Sequence, residues 1–346
     1  MTSREDILWA VDVGDWTPSA AEWEACLAAL GSEAGADDER ARIARFRRPI
    51  RVASSGGGAP ETVWVEGREN PDARSALVGR LLLLAAARAL VPGTRAVPCA
   101  RTPHGRPYYA RPWVSAAQTR HNCHTAQGGS ASSSWWCPNA NVSHHGRWVV
   151  LAGATRAVVG VDVLRRECRG AGPDAYVAAL ARGTLTARET AQTRDWARAV
   201  AAQTTLGGAD ARLDAFCTTW ALKEALVKAR GDGLAFDVQR ADFAFAREHA
   251  VVADARNRVV RPAAAALEVD GTPQPAHRLA FRVYSPDSDH VVALCRAAPA
   301  AVTRELQDTL PAPFGVAGLP DSLPDTPWPP LRIFPSVSSL LHEFWD

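Results

Sequence analysis

Trp220-Ala221-Leu222-Lys223-Glu224-Ala225-Leu226-Val227-Lys228-Ala229-Arg230-Gly231-Asp232-Gly233-Leu234 is the stretch from which the rest of the chain is read. Good helix formers run to Arg230, and the Gly-Asp-Gly that follows stops them, so a helix is predicted over 213–230. Positions four apart share a face, which puts Phe216, Trp220, Glu224 and Lys228 on one strip. Ala221, Leu222, Ala225, Leu226 and Ala229 cover the other faces, so much of this helix should be buried. A carboxylate and an ammonium on such a helix are costly unless they are paired or bound to something. The plainer alternative is a surface Glu–Lys pair worth about 0.3–0.5 kcal/mol. The lysine census argues against it: the chain has two lysines, both in this stretch, and its other 37 basic residues are arginine. An ammonium is kept where a compact charge with three rotatable donors is needed and a planar guanidinium will not serve.

Upstream, Val158-Val159-Gly160-Val161-Asp162-Val163-Leu164 is an apolar strand with one acid in it. Alternation sets Gly160, Asp162 and Leu164 opposite Val159, Val161 and Val163. Gly160 removes a side chain beside the acid, which leaves room for a ligand or a metal. An Asp on a strand and a Glu on a helix together suit Mg²⁺, which takes oxygen ligands and favours phosphates. The alternative is an Asp at a strand end bonding backbone amides. In Asn141-Val142-Ser143-His144-His145, Ser143 and His144 offer a hydroxyl and an imidazole N–H to phosphate oxygens, or else form a turn with solvated rings.

A chain of 346 residues is long enough for two domains, or one large one, with a sizeable core. Its 47% apolar and 22% charged content is that of a globular protein, and a net charge of +2 gives no general field for nucleic acid. No apolar run reaches the length of a membrane span; the longest, 76–91, is broken by Gly79, Arg80 and Arg88. The acids near the start argue against a presequence. Seven cysteines with no C-x-x-C spacing read as reduced thiols, so a cytoplasmic protein is expected.

Along the chain, a short strand near Trp9 precedes a helix capped by Ser19 or Thr17. Residues 38–46 are helical in pattern, 53–70 read as a loop or insertion, and 72–90 as a long amphipathic helix with Arg74, Arg80 and Arg88 off its apolar stripe. Residues 118–140 are rich in Ser, Gly, Asn and His and are expected to form an inserted loop. Two strands, 141–151 and 157–164, form a hairpin or a crossing between lobes, helices follow over 173–202, and strands dominate from Phe236. The Pro-rich tail from Ala298 is expected to be ordered where Trp328, Phe334 or Phe344-Trp345 dock. The expectation is an N-terminal lobe over 1–156 with insertions at about 51–70 and 111–140, a C-terminal lobe over 157–297 and an extension over 298–346.

Taken in order, these segments resemble the 4′-phosphopantetheinyl transferases, in particular their long, two-lobed class and within it the eukaryotic aminoadipate-semialdehyde dehydrogenase type. That family shows Gly-(Ile/Val)-Asp, here Gly160-Val161-Asp162, and Trp-x-x-Lys-Glu-(Ala/Ser)-x-x-Lys ending in Gly-x-Gly-Leu, here Trp220 to Leu234. Asn141-Val142-Ser143-His144 and Gly105-Arg106-Pro107 match two further elements, and the likeness spans roughly residues 8 to 297. The resemblance implies an α+β fold, a pseudo-twofold pair of lobes, each a small antiparallel sheet packed with helices. It implies that coenzyme A binds between the lobes as a monomer's substrate, with Mg²⁺ on its pyrophosphate held by Asp162 and Glu224. Lys228 and Lys223 would face the phosphates or the incoming hydroxyl, and Ser143 with His144 the pyrophosphate and adenosine end. Arg101 and Arg106 match positions that clamp the 3′-phosphate, and Arg42 a further basic position of the first lobe.

The implied reaction is holo-[acyl-carrier-protein] synthase chemistry, as in fatty acid biosynthesis: a serine of an apo carrier protein attacks the β-phosphorus of coenzyme A, and 3′,5′-ADP leaves. Glu224, directly or through water on the metal, is the candidate base. Leu164 departs from the many bacterial members that carry a second carboxylate there; the eukaryotic type also has an apolar residue at that position, where water can fill the ligand site, and Glu167 is close in sequence as another candidate. Two rival readings stand beside this one. The chain binds coenzyme A or a carrier without turnover, or His121, Cys123, His124, Cys137, His144 and His145 hold a structural zinc, although no pair has finger spacing.

Overall fold

The computed structural model describes residues 6–31, 36–52, 61–91, 99–109, 137–168, 170, 172–203, 208–245, 249–254, 257–262, 265–310 and 318–345. The His121, Cys123 and His124 cluster and most of the 111–140 insertion lie outside these residues.

The first lobe runs through β1 (Ile7–Asp12), α1 (Ala20–Ala28), α2 (Ala36–Ala44), the β2 (Arg47–Val52) and β3 (Glu61–Glu66) hairpin, and α3 (Pro71–Leu90). The short β4 (Cys99–Arg101) and β5 (Pro107–Tyr109) pair follows, then the β6 (Asn139–His145) and β7 (Trp148–Ala154) hairpin. β6, β7 and β1 form an antiparallel sheet. Leu77, Leu81 and Val149 place α3 and that sheet in one core with Trp9 and Trp23. Ser19 caps α1 in a reciprocal box with Glu22, and Asn70 caps α3 ahead of Pro71.

β8 (Val158–Arg165) begins the second lobe, followed by α4 (Pro173–Thr184), α5 (Ala187–Gln203) and α6 (Gly208–Arg230). Then come β9 (Ala241–Phe245), the β10 (His249–Asp254) and β11 (Asn257–Pro262) hairpin, β12 (Ala265–Val269), β13 (Thr272–Gln274), β14 (Leu279–Tyr284) and β15 (His290–Ala297). β14, β15 and β8 form a second antiparallel sheet, covered by α6 as α3 covers the first. Two small antiparallel sheets, each with its own long helix, make the expected pair of α+β lobes. Their inner faces pack together: Leu8, Ala10, Val150 and Ala152 of one meet Val159, Val161, Val163 and Leu294 of the other. β8 is therefore buried on both faces, which explains a nearly unbroken apolar run.

Several expectations change. Residues 61–66 of the supposed loop 53–70 pair with β2, so the insertion is a hairpin with its tip outside the described residues. The predicted strand 141–151 is two strands, turned at Gly146 where φ is +59°. Arg80 is buried instead of lying off the stripe. The tail returns to the first lobe through α7 (Arg304–Gln307), β16 (Leu331–Phe334) and α8 (Val337–Trp345). β16 adds to β1 in parallel, and Phe334, Val337 and Leu340 enter the first core beside Trp9 and Phe344. Each such burial is worth about 1.5–3 kcal/mol, enough to order a Pro-rich segment.

Candidate active site

Gly160 sets up the site differently from the expectation. A Cβ there would lie 2.2 Å from the Ala225 carbonyl oxygen and 2.3 Å from the Ala229 nitrogen. The missing side chain admits no ligand; it lets the α6 backbone press onto β8, and this places Glu224 and Lys228 against Asp162. Ala225 and Ala229 on the facing helix turn complete that close approach.

The Lys228 Nζ donates to Asp162 Oδ1 at 2.6 Å and to Ser143 Oγ at 2.8 Å, and Ser143 Oγ donates to the same Oδ1 at 2.8 Å. Ser143 comes from β6 in the first lobe, Asp162 from β8 and Lys228 from α6, so the triangle joins three elements across the lobe boundary. A cleft of ≈ 350 Å³ opens on it, lined by Ser143, His144, Asp162, Leu164, Trp220, Glu224 and Lys228 among others. Trp220, Glu224 and Lys228 thus face the cleft as the four-residue spacing predicts, while Phe216 at the head of the strip is buried in the core.

Asp162 is 5% exposed, and its Oδ2 has no hydrogen-bond partner. The Glu224 carboxyl is raised above its ordinary value, first by desolvation and then by the Asp162 charge, against the pull of Lys228. Two carboxylates thus share one confined space, and one of them holds an unsatisfied oxygen. That donor set fits a hard divalent cation with oxygen ligands. Among the described residues no cluster of three His, Cys, Asp or Glu side chains is poised to hold a metal, so further ligands would come from water or phosphate. Leu164 lines the cleft without a donor, and Glu167 lies 3.7 Å from His145 and from Arg165. His144 is held below its usual value, first by desolvation and then by the Lys228 ammonium, which makes it a neutral donor or acceptor near pH 7.

Other predicted residues lie elsewhere. Lys223 faces away from the cleft: it is 0% exposed, 2.8 Å from Glu189, and donates to the carbonyl oxygens of Val238 and Ala241. Arg106 is buried and donates to the Val159 carbonyl oxygen at 2.8 Å, so it ties the first lobe to β8. Burial pushes it down to about 10. Arg42 and Arg101 are brought together by Glu39, which each contacts at 2.8–2.9 Å and which they hold at about 2 against desolvation. Both remain partly exposed, but neither lines the cleft.

Side chains that were assigned no part in the transfer site hold the lobes in register. β6 and β8 are edge strands of separate sheets, and side chains from alternate β6 positions bridge them. Asn139 Oδ1 accepts from the Val159 N–H at 3.1 Å, Asn141 Oδ1 from the Val161 N–H at 2.9 Å, and His145 Nδ1 from the Arg165 N–H at 3.2 Å. Ser143 continues the same series to the Asp162 side chain. The signal was present in the period-2 run Asn139, Asn141, Ser143, His145, with polar residues on an otherwise apolar hairpin.

Comparison with known proteins identifies the family. Residues 14–156 match the family 4′-phosphopantetheinyl transferase, N-terminal, and residues 158–295 match the 4′-phosphopantetheinyl transferase superfamily. The L-aminoadipate-semialdehyde dehydrogenase-phosphopantetheinyl transferase of Xenopus laevis is 30% identical over 243 residues, 68% of this chain and 61% of that protein. The human protein of that name is 27% identical over 247 residues, 70% of this chain and 61% of the relative. A phosphopantetheinyl transferase of Thraustochytrium sp. is 28% identical over 287 residues, 83% and 76% of the two chains. The chain thus spans about three fifths of the length of the first two relatives. The two matched families meet at residues 156–158, where the link from β7 of the first lobe reaches β8 of the second, and the chain belongs to the 4′-phosphopantetheinyl transferase superfamily.

Proposed function

We propose that the protein transfers the 4′-phosphopantetheine arm of coenzyme A to a serine hydroxyl of an apo carrier protein, releasing 3′,5′-ADP. The observation that carries this reading is the meeting of Ser143, Asp162, Lys228 and Glu224 on one cleft between the lobes. Breaking a phosphoanhydride this way is mainly a matter of positioning and charge neutralisation. Lys228 supplies a positive charge to the phosphoryl oxygens, held in place by Ser143 and Asp162. Glu224, with its raised carboxyl, accepts the serine proton as the oxygen bonds to phosphorus. His144 and Trp220 offer a neutral imidazole and an aromatic face to the substrate along the cleft wall. Asp162 and Glu224 would hold Mg²⁺, which when bound supplies Lewis-acid neutralisation of the pyrophosphate. Arg42 and Arg101, carried on Glu39, are proposed to meet the 3′-phosphate at the outer edge of the first lobe.

The acceptor is proposed to be an acyl carrier protein or a carrier domain, which makes the activity that of a holo-[acyl-carrier-protein] synthase in fatty acid biosynthesis. A cytoplasmic monomer is proposed, and the free, buried thiols of Cys26, Cys99 and Cys295 fit a reducing compartment. The test incubates purified protein, coenzyme A and Mg²⁺ with several apo carriers and weighs the products. A gain of one phosphopantetheine on a carrier serine is expected, lost in Asp162→Ala and strongly reduced in Glu224→Gln. Full activity in either variant, or tight coenzyme A binding with no product on any carrier, overturns the reading.

A further inference from the structure

β6 and β8 are not paired through their main chains, so side-chain rungs, together with the packed inner faces and the Arg106 tie to Val159, set the height of one strand against the other. That height fixes where Asp162 Oδ1 falls relative to Ser143 Oγ and Lys228 Nζ, at 2.8 Å and 2.6 Å. Two asparagines form neighbouring rungs but are built differently. Asn139 makes four contacts, accepting from Val159 and donating to the carbonyl oxygens of Cys137, Ala154 and Ala157, so most of its bonding braces the turn between β7 and β8. Asn141 is 4% exposed and spans the seam to the Val161 N–H, one residue before Asp162 and one rung before Ser143. We propose that Asn141 is a positioning residue for the transfer step, fixing β8 so that the Asp162 carboxylate sits between Ser143 and Lys228. It touches neither substrate nor reacting atoms; it acts through Asp162. A misplacement of about 1 Å at such a site can cost on the order of 10²-fold in rate, so one rung is sufficient to matter.

The inference rests on the transferase reading, and its test separates the two. Asn141→Leu and Asn139→Leu are compared with wild type for carrier modification, coenzyme A affinity and urea unfolding. Deuterium uptake over residues 158–165 is followed in parallel. Asn141→Leu is expected to lower kcat about 10–100-fold, with KM for coenzyme A within about threefold and faster uptake over 158–165. Asn139→Leu, which forfeits more hydrogen bonds, is expected to lose more stability yet keep kcat within about threefold. The two variants should therefore rank oppositely in stability and in rate. If the rate losses instead follow the stability losses, Asn141 is merely structural and the inference fails. Asn141→Asp keeps the acceptor oxygen and is expected to recover most of the rate. Should Asn141→Leu not fold, an Asn141→Asp enzyme as slow as Glu224→Gln also overturns the assignment. A wild-type protein that modifies no carrier refutes the transferase reading itself, and this inference with it.

Discussion

Lys223 and Lys228 stand five residues apart on α6, about 140° around its axis, and the structure uses them in opposite ways. Lys223 is fully enclosed: its three donors meet the Glu189 carboxylate and the carbonyl oxygens of Val238 and Ala241. Lys228 is 28% exposed and meets Asp162 and Ser143, so one of its three N–H groups is left for the cleft. Each has a carboxylate within 2.8 Å, yet one pair closes a cage and the other opens on a cavity. Both sites need three donors diverging from one small cation, which a planar guanidinium cannot supply. Scarcity of lysine therefore marks geometric demand, and that demand is architectural at one position and chemical at the other.

The largest effect should come from breaking the enclosed pair. Lys223→Met leaves Glu189 buried without its cation, which costs about 3–5 kcal/mol. Transfer per folded molecule should stay near wild type, because the side chain does not reach the cleft. Burial already pushes Glu189 up and Lys223 down toward their neutral forms, so Lys223→Met with Glu189→Gln should regain about 1–2 kcal/mol. The recovery is partial because Glu189 also accepts from the Thr186 and Phe243 N–H groups, and a glutamine has one oxygen for the two. Urea unfolding of wild type and the two variants measures this. A Lys223→Met protein that is stable but inactive would erase the contrast.

Lys228→Met should do the reverse. A preorganised charge at a reacting centre is worth about 10²–10³ in kcat, and the loss of stability should be smaller than that of Lys223→Met because water reaches the cleft. Lys228→Arg keeps the charge but offers a fork where Ser143 and Asp162 need a point donor, so it should recover no more than about tenfold of the loss. Steady-state rates with one carrier decide it. Full activity in the arginine variant would show that charge alone suffices there and that the lysine was kept for another reason.

The same contrast explains what the sequence could reveal. Period-four spacing found the face of α6 that carries Trp220, Glu224 and Lys228, because a helix maps spacing directly onto direction. It could not place Lys223, since which neighbour fills the opposite face depends on α5 and the segment from Val238 to Ala241. Arg106 failed for a related reason: a Gly-Arg-Pro turn looks exposed until β8 packs over it. Gly160 was correctly linked to Asp162 but with the wrong occupant, because a missing side chain says that something comes close and not whether it is ligand or backbone. The aromatic anchors of the tail were legible, and Phe334 and Phe344 do dock on Trp9, but the β16 pairing was not, because its partners Trp9 and Ala10 lie more than three hundred residues away in sequence.

The smallest predicted effect is the most diagnostic for Glu224, the one carboxylate of the comparison for which the described residues provide no ion pair. Its folded value lies above the ordinary 4.5, through desolvation and then Asp162. A raised value favours the protonated fold, so this contribution to stability is present in full below pH 4.5 and is lost as pH rises through the folded value. In metal-free protein near pH 7.5 the ionised carboxylate is thus a liability. Glu224→Gln should be more stable than wild type there by about 0.5–2 kcal/mol, as expected when a functional charge is removed. Near pH 4 both side chains are neutral, and the two unfolding curves should converge. Adding Mg²⁺ at pH 7.5 should stabilise wild type more than the variant and narrow the gap, since a ligand that binds the fold stabilises it more the tighter it binds. A glutamine variant less stable than wild type at pH 7.5 without metal would mean that the Glu224 carboxylate is already satisfied within the fold, as Lys223 is, and α6 would then present one cleft-facing charge where two are claimed.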